Sequence, residues 1–136
     1  RYSIFDRTIE EDGVKKYCKE AGIGIIAFSP LAQGILSDKY LHGIPQESRI
    51  GKGSRYLDQT ALTEEKMKKV EALNELAQQR GETLAQMALA WVLKDDEVCS
   101  VLIGASTPEQ IRENAAIVGA PAFSEEELCN IERISR

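Results

Sequence analysis

The stretch that most constrains this 136-residue chain runs from Gly22 to Gly34, GIGIIAFSPLAQG. The apolar run Ile23, Ile25, Ile26, Ala27 and Phe28 is stopped by Ser29-Pro30 and followed by a loop of small residues. That pattern predicts a buried strand ending at a ligand-facing corner. A strand apolar on both faces belongs in a parallel sheet covered by helices. In such sheets the loops leaving the C-terminal ends of the strands carry the chemistry.

The remaining elements follow in chain order. Tyr2-Ser-Ile-Phe5 reads as the tail of a strand with nothing before it, so the expectation is a piece of a longer polypeptide. From Glu10 to Ala21, Val14, Tyr17, Cys18 and Ala21 recur at helical spacing as a buried face, and Gly22 is the stop. The strand from Ile23 to Phe28 then completes a strand–helix–strand crossover, right-handed by rule. Residues 29–60 make a long Gly-, Ser- and Pro-containing connection that concentrates Lys39, Arg49, Lys52 and Arg55. A connection of that length in a compact domain binds something or lies between domains. For its positive charge two readings stay open, a solvated loop and an anion site.

Thr63 is expected to cap a helix reaching about Arg80, with Met67, Val70, Leu73, Leu76 and Ala77 as its buried stripe and Gly81 as its end. Thr83 and Gln86 spell a capping box for a helix from Leu84 to about Lys94, on which Met87 and Trp91 are read as core. Val98 to Ile103 is the next apolar strand, closed by Gly104-Ala105-Ser106. Thr107, Pro108 and Gln110 then announce a boxed helix N-terminus. A strand, a small-residue turn and a helix start in succession form an anion site, because free amides and the helix dipole converge there. On that helix Gln110, Glu113 and Asn114 share one face; the alternative reading is a solvated face. Ser124 and Glu127 box a last helix that turns Leu128, Ile131 and Ile134 inward.

The alternation predicts one α/β domain over residues 1–136 with a parallel sheet. Three strands cannot close a barrel, so the outer two would be apolar edges. The net charge of −5 argues against nucleic acid and anionic membranes as partners. No apolar run is long enough to insert into a membrane and the start has no signal-peptide layout, from which a cytoplasmic location is expected. Cys18, Cys99 and Cys129 are unpaired in spacing and read as small buried or half-buried hydrophobes, and with a single histidine, His42, no metal site is expected.

Taken together, Phe28-Ser29-Pro30-Leu31-Ala32-Gln33-Gly34, Lys39-Tyr40, Gly43-Ile44-Pro45, Ser48-Arg49 and Gly104-Ala105-Ser106 followed by Gln110, Glu113 and Asn114 resemble the cofactor-binding half of an aldo-keto reductase. The most similar subgroup holds the bacterial L-glyceraldehyde 3-phosphate reductases and the potassium-channel beta subunits. The resemblance extends over essentially the whole chain. It implies the C-terminal half of an eight-stranded (β/α)8 TIM-type barrel, from the end of the sixth strand to the last helices.

By the same resemblance, the intact protein reduces a small carbonyl substrate, such as glyceraldehyde 3-phosphate, with NADPH. Phe28 would stack on the nicotinamide, Ser29, Pro30, Leu31 and Ala32 would line the pyrophosphate, and Lys39 and Arg49 would meet the phosphates. Gly104, Ser106, Gln110, Glu113 and Asn114 would hold the adenosine end. Gly104 and Gln110 stand where many relatives place a Lys and an Arg for the 2′-phosphate; Arg49 is the candidate replacement, with NADH left open. The catalytic Asp, Tyr, Lys and His of the family fall in the first half of the barrel, so this segment carries no catalytic residue and is expected to be inactive alone. Two alternatives stand beside this reading: a nucleotide-sensing, partner-binding module like the channel subunits, and a homo-oligomer that pairs exposed sheet edges.

Overall fold

A computed structural model describes residues 1–46, 48, 51 and 62–136. Among the described residues the elements are α1 (Thr8–Glu11), α2 (Val14–Glu20), β1 (Ile25–Phe28), α3 (Glu64–Gln79), α4 (Leu84–Val92), β2 (Val98–Leu102), α5 (Pro108–Ala115) and α6 (Glu125–Ser135). Two short 3-10 turns, Ala32–Gly34 and Asp38–Tyr40, follow β1.

β1 and β2 pair in parallel, with Ile26 opposite Ser100 and Phe28 opposite Leu102. The register shifts between Ile25 and Ile26, leaving Cys99 as an extra residue. Gly24 makes room for it: a Cβ there would meet the Cys99 sulfur at 2.5 Å. The described residues cover only one face of this ribbon. Ala27 and Val98 are buried, whereas Ile26, Phe28 and Leu102 are at least half exposed. The expectation of a strand buried on both faces is therefore corrected, because two strands backed by helices on one side leave the other side open.

The expected strand at Tyr2–Phe5 is also corrected. Ser3 and Asp6 exchange backbone hydrogen bonds of 3.0 and 3.1 Å, closing a tight turn, and Asp6 then accepts from the Thr8 hydroxyl at 2.9 Å to start α1. One bond, from the Tyr2 amide to the Phe28 carbonyl at 3.2 Å, attaches this turn to the edge of β1. The single helix expected from Glu10 to Ala21 is two, broken at Gly13, whose φ of 80° is left-handed. Val14 and Tyr17, predicted to be buried, are 44% and 66% exposed, because none of the described elements covers that face of α2. Cys99 and Cys129 are likewise exposed rather than buried, and Cys18 is half-buried; all three thiols are free.

The helical layer forms as the capping signals predict. Thr63, Thr83, Thr107 and Ser124 each accept a bond from a backbone amide in the first turn, and Thr83 and Ser124 complete reciprocal boxes. Val70, Leu73, Met87, Trp91 and Ile131 bury their side chains between α3, α4 and α6. Polar anchors tie the periphery to this core. Tyr2 packs on Trp91 with ring centroids 5.2 Å apart, accepts from Lys94 Nζ at 2.9 Å and donates to Glu10. Lys15 bridges to Asp95 at 2.5 Å and Lys19 to Glu97 at 2.6 Å, fastening α2 to the segment that enters β2.

Arg80, whose side chain is 3% exposed, closes the far end of α3. It pairs with Glu82 at 3.0 Å and Glu127 at 2.8 Å, donates to the Pro121 carbonyl at 2.8 Å, and stacks over Phe123 at 3.9 Å. Burial works to raise the Glu127 carboxyl, but bonds from Ser124 and Arg80 outweigh it and hold the group below its ordinary value. Arg80→Ala strands Glu82 without its partner and should cost about 3 kcal/mol in a urea or thermal melt. The Glu127 contribution is present above the unfolded carboxyl value and is lost as pH falls below about 4.3. Melts repeated between pH 6 and 3 should therefore show a shallower acid loss of stability in Arg80→Ala than in the parent.

Candidate cofactor site

The pairing of Phe28 with Leu102 brings two loops to one end of the sheet. Residues 29–34 leave the C-terminal end of β1, and residues 103–107 leave the C-terminal end of β2. Parallel strands require both exits to lie side by side. The structure thus brings together Phe28, Ser29, Pro30, Leu31 and Ala32 with Gly104, Ser106 and the start of α5, which are far apart in the chain.

The first loop is held in an uncommon shape. Ser29, Ala32 and Gln33 have φ of 57°, 46° and 62°, left-handed values that L residues adopt at a cost of about 1 kcal/mol or more each. The strain is supported locally. Ala32 N–H donates to the Ser29 carbonyl at 3.1 Å, Gly34 N–H to Leu31 at 2.8 Å, and the Ser37 hydroxyl to the Gly34 carbonyl at 2.6 Å. Pro30 is buried and Leu31 packs on the core, so the loop is anchored while the Phe28 ring stays 50% exposed. Lys39 lies on the second 3-10 turn, half-buried, its amide bonded to the Ser37 hydroxyl at 3.4 Å. Arg49, Lys52 and Arg55 lie outside the described residues, and with them the charge expected at the 2′-phosphate.

The second loop differs from its predicted form in one detail. Thr107 accepts from the Gln110 amide, but the Gln110 side chain accepts from the Ser106 amide at 2.8 Å instead of returning to Thr107. Gln110 therefore shapes the turn ahead of α5, with its carbonyl oxygen already engaged. Glu113 is exposed, and its backbone carbonyl accepts from Gln86 of α4 at 2.9 Å. Asn114 is 8% exposed whereas Glu113 is exposed, so the three residues are not one solvated face.

Gln33 was not a predicted site residue. Its amide oxygen is buried without a hydrogen-bond partner among the described residues, as is the hydroxyl of Tyr40 beneath the same loop. The only sequence signal for it is its place between Ala32 and Gly34, where a left-handed turn follows. Tyr2 and Lys94 have the look of a proton-donating pair, yet Tyr2 is fully buried. Burial, then its bond to Glu10, pushes its hydroxyl well above the ordinary value, which suits an anchor and not an acid. Among the described residues no group of three or more His, Cys, Asp and Glu side chains is placed to hold a metal ion, and none of the described helices is long and apolar enough to cross a membrane.

Relieving the loop strain should stabilise the fold. Ala32→Gly, at φ 46°, is expected to gain about 1 kcal/mol in urea unfolding, and Gly34→Ala, at φ 99°, to lose at least as much.

Comparison with known proteins accounts for this arrangement. The model of the Aldo/keto reductase family matches residues 1–136. The L-glyceraldehyde 3-phosphate reductase of Escherichia coli (strain K12) is 47% identical over 135 residues, which are 97% of this chain and 39% of that protein. An aldo-keto reductase of Bacillus halodurans, solved in its holo form, superposes with a TM-score of 0.70 at 27% identity, over all of this chain and 41% of its own. The glycerol dehydrogenase of Gluconobacter oxydans shares the fold with a TM-score of 0.76 at 23% identity, over 98% of this chain and 40% of its own. The chain thus spans about two fifths of the length of these relatives, and its open two-stranded sheet is part of their (β/α)8 barrel. This chain belongs to the aldo/keto reductase family.

Proposed function

We propose that the protein carrying this chain is an NADPH-dependent reductase of small aldehydes and ketones, and that this segment supplies the cofactor-binding half of its barrel. One observation carries the reading: a strained, anchored loop and a helix N-terminus leave adjacent parallel strands at the same end, beside an exposed aromatic ring. That combination fits a dinucleotide, whose flat nicotinamide needs a ring face and whose phosphates need converging backbone amides.

In this reading Phe28 presents its face to the nicotinamide and fixes the ring's orientation. Ser29, Pro30, Leu31 and Ala32 follow the pyrophosphate, with Lys39 and Arg49 neutralising phosphate charge. Gly104 and Ser106 leave space for the adenosine, Gln110 keeps their turn in shape, and Glu113 and Asn114 hold its polar edge. Bound NADPH supplies the hydride. The chain's own part is positioning, because hydride transfer requires the donor carbon held against the carbonyl within van der Waals reach. No residue of this segment is assigned to carbonyl protonation, so the segment alone turns nothing over. The name of the Escherichia coli relative makes glyceraldehyde 3-phosphate the first substrate to try with a polypeptide that includes the remaining barrel.

NADPH binding by the 136-residue chain is the test. NADPH should raise the melting temperature followed by Trp91 fluorescence, since a ligand bound only to the folded state stabilises it, and NADH should bind more weakly. Phe28→Ala should weaken NADPH by about tenfold with little change in the melt without ligand, because the ring is half exposed. A cooperative melt unmoved by millimolar NADPH rejects the assignment; a chain without a cooperative melt is tested in the same way joined to the rest of its barrel.

A further inference from the structure

The capping box of α4 uses only one end of the Gln86 side chain. Gln86 Oε1 accepts from the Thr83 amide at 3.0 Å, and the Gln86 amide donates to the Thr83 hydroxyl at 3.2 Å. The other end, Nε2, donates to the backbone carbonyl of Glu113 in α5 at 2.9 Å. The two ends cannot be exchanged, because the Thr83 amide needs an acceptor and the Glu113 carbonyl needs a donor.

That carbonyl is one that α5 serves poorly by itself. α5 is eight residues long, and Glu113 lies in its last turn, where carbonyls have no amide four residues further along the helix. The Ala116 amide reaches the Glu113 carbonyl at 3.3 Å while also bonding the Arg112 carbonyl at 3.1 Å. Gln86 therefore satisfies an open donor at the start of one helix and an open acceptor near the end of another. Burial does little to hold α5, since Asn114 is its one buried residue and Ile111 stays 55% exposed among the described residues. Among the same residues, the Gln86 bond is the one side-chain hydrogen bond from α5 to another helix; those of Gln110 and Arg112 go to near neighbours. α4 is the fixed partner, with Leu84, Met87, Trp91 and Val92 at most 2% exposed.

We propose that Gln86 is a positioning residue for the adenosine end of the cofactor. By tying the Glu113 carbonyl to the rigid start of α4, it sets the rotation of α5 about its axis and with it the directions of the Glu113 and Asn114 side chains. The inference rests on the cofactor reading above and adds to it a residue that acts through α5. Thr107 and Gln110 hold the first turn of this helix, and Gln86 holds the last. Released at its last turn, the helix can swing, and its polar groups lose the preorganisation that binding a nucleoside requires.

Titration with NADPH tests this, on the 136-residue chain or on that chain joined to the rest of its barrel, with variants that separate the two ends of the side chain. Gln86→Glu keeps an oxygen for the Thr83 amide and loses the donor for Glu113; it should weaken NADPH by about fivefold. Gln86→Met loses the donor without adding charge and should weaken NADPH by the same factor. Thr83→Ala weakens the cap and leaves the link, so it should lower the melting temperature with NADPH affinity unchanged. Hydrogen exchange at the α5 amides should quicken in both Gln86 variants and not in Thr83→Ala. Adenosine 2′,5′-bisphosphate should weaken along with NADPH, whereas reduced nicotinamide mononucleotide, which has no adenosine, should bind the variants as it binds the parent. Equal NADPH affinity in the parent and Gln86→Met overturns the proposal and leaves the cofactor reading standing, as does unchanged exchange at α5 or an equal loss of the nicotinamide fragment. A parent that binds no NADPH overturns the cofactor reading and the proposal together.

Discussion

The parallel pairing of β1 with β2 is the contact on which the arrangement of the site depends. Four residues of β1 meet β2 with a one-residue shift at Cys99, and beyond it Ala27 faces Val101 and Phe28 faces Leu102. Because both strands run the same way, their exits coincide, and the two loops rich in small residues are neighbours although about 75 residues separate them. A one-residue slip would turn Phe28 inward and Ala27 outward. The shifted residue sits where Gly24, just before β1, leaves room: a Cβ there would meet the Cys99 sulfur at 2.5 Å.

What holds that ribbon in place is a helical layer fastened by buried or half-buried cations. Arg7 and Lys94 lie over the faces of Trp91, Arg80 over Phe123, and each also bonds an oxygen of another segment. A guanidinium can do both because its plane stacks while its edge donates. Burial, with Lys15 nearby, holds the Lys94 ammonium below its ordinary value, and the Tyr2 hydroxyl it bonds is shifted upward. Such groups join the turn after Tyr2, α4 and the entry to β2 into one body, and they leave the loop after β1 to carry the backbone strain.

The helices were legible because their ends are chemical. Thr63, Thr83, Thr107 and Ser124 can satisfy first-turn amides wherever they occur, and Gly81, at φ 73°, can turn the chain out of α3. Faces were less legible. Val14, Tyr17, Ile26 and Phe28 have the spacing of buried residues, yet periodicity states that a face is apolar without stating what covers it. Asn114 shows the converse, a polar residue at a seemingly solvated position that the fold buries. Tyr2–Phe5 is not a strand because the Ser3–Asp6 bonds and the bond from the Thr8 hydroxyl to Asp6 offer its backbone a local alternative to the sheet. Gln33 is not legible in the sequence because a left-handed backbone at a residue other than Gly, Asn or Asp leaves almost no trace in composition.

The amino-acid sequence by itself determined the order and kind of the main elements, the capped helix starts, the small-residue exits of both strands and the membership of a barrel family, since each is encoded within a few neighbouring residues. The tertiary structure alone decided that β1 and β2 are partners, which of their faces is covered, that Gln110 serves Ser106, and that Gln86 of α4 bonds the Glu113 carbonyl of α5. These depend on contacts between segments tens of residues apart. Their free energy comes from packing and charge pairing that exist only once the chain has closed on itself.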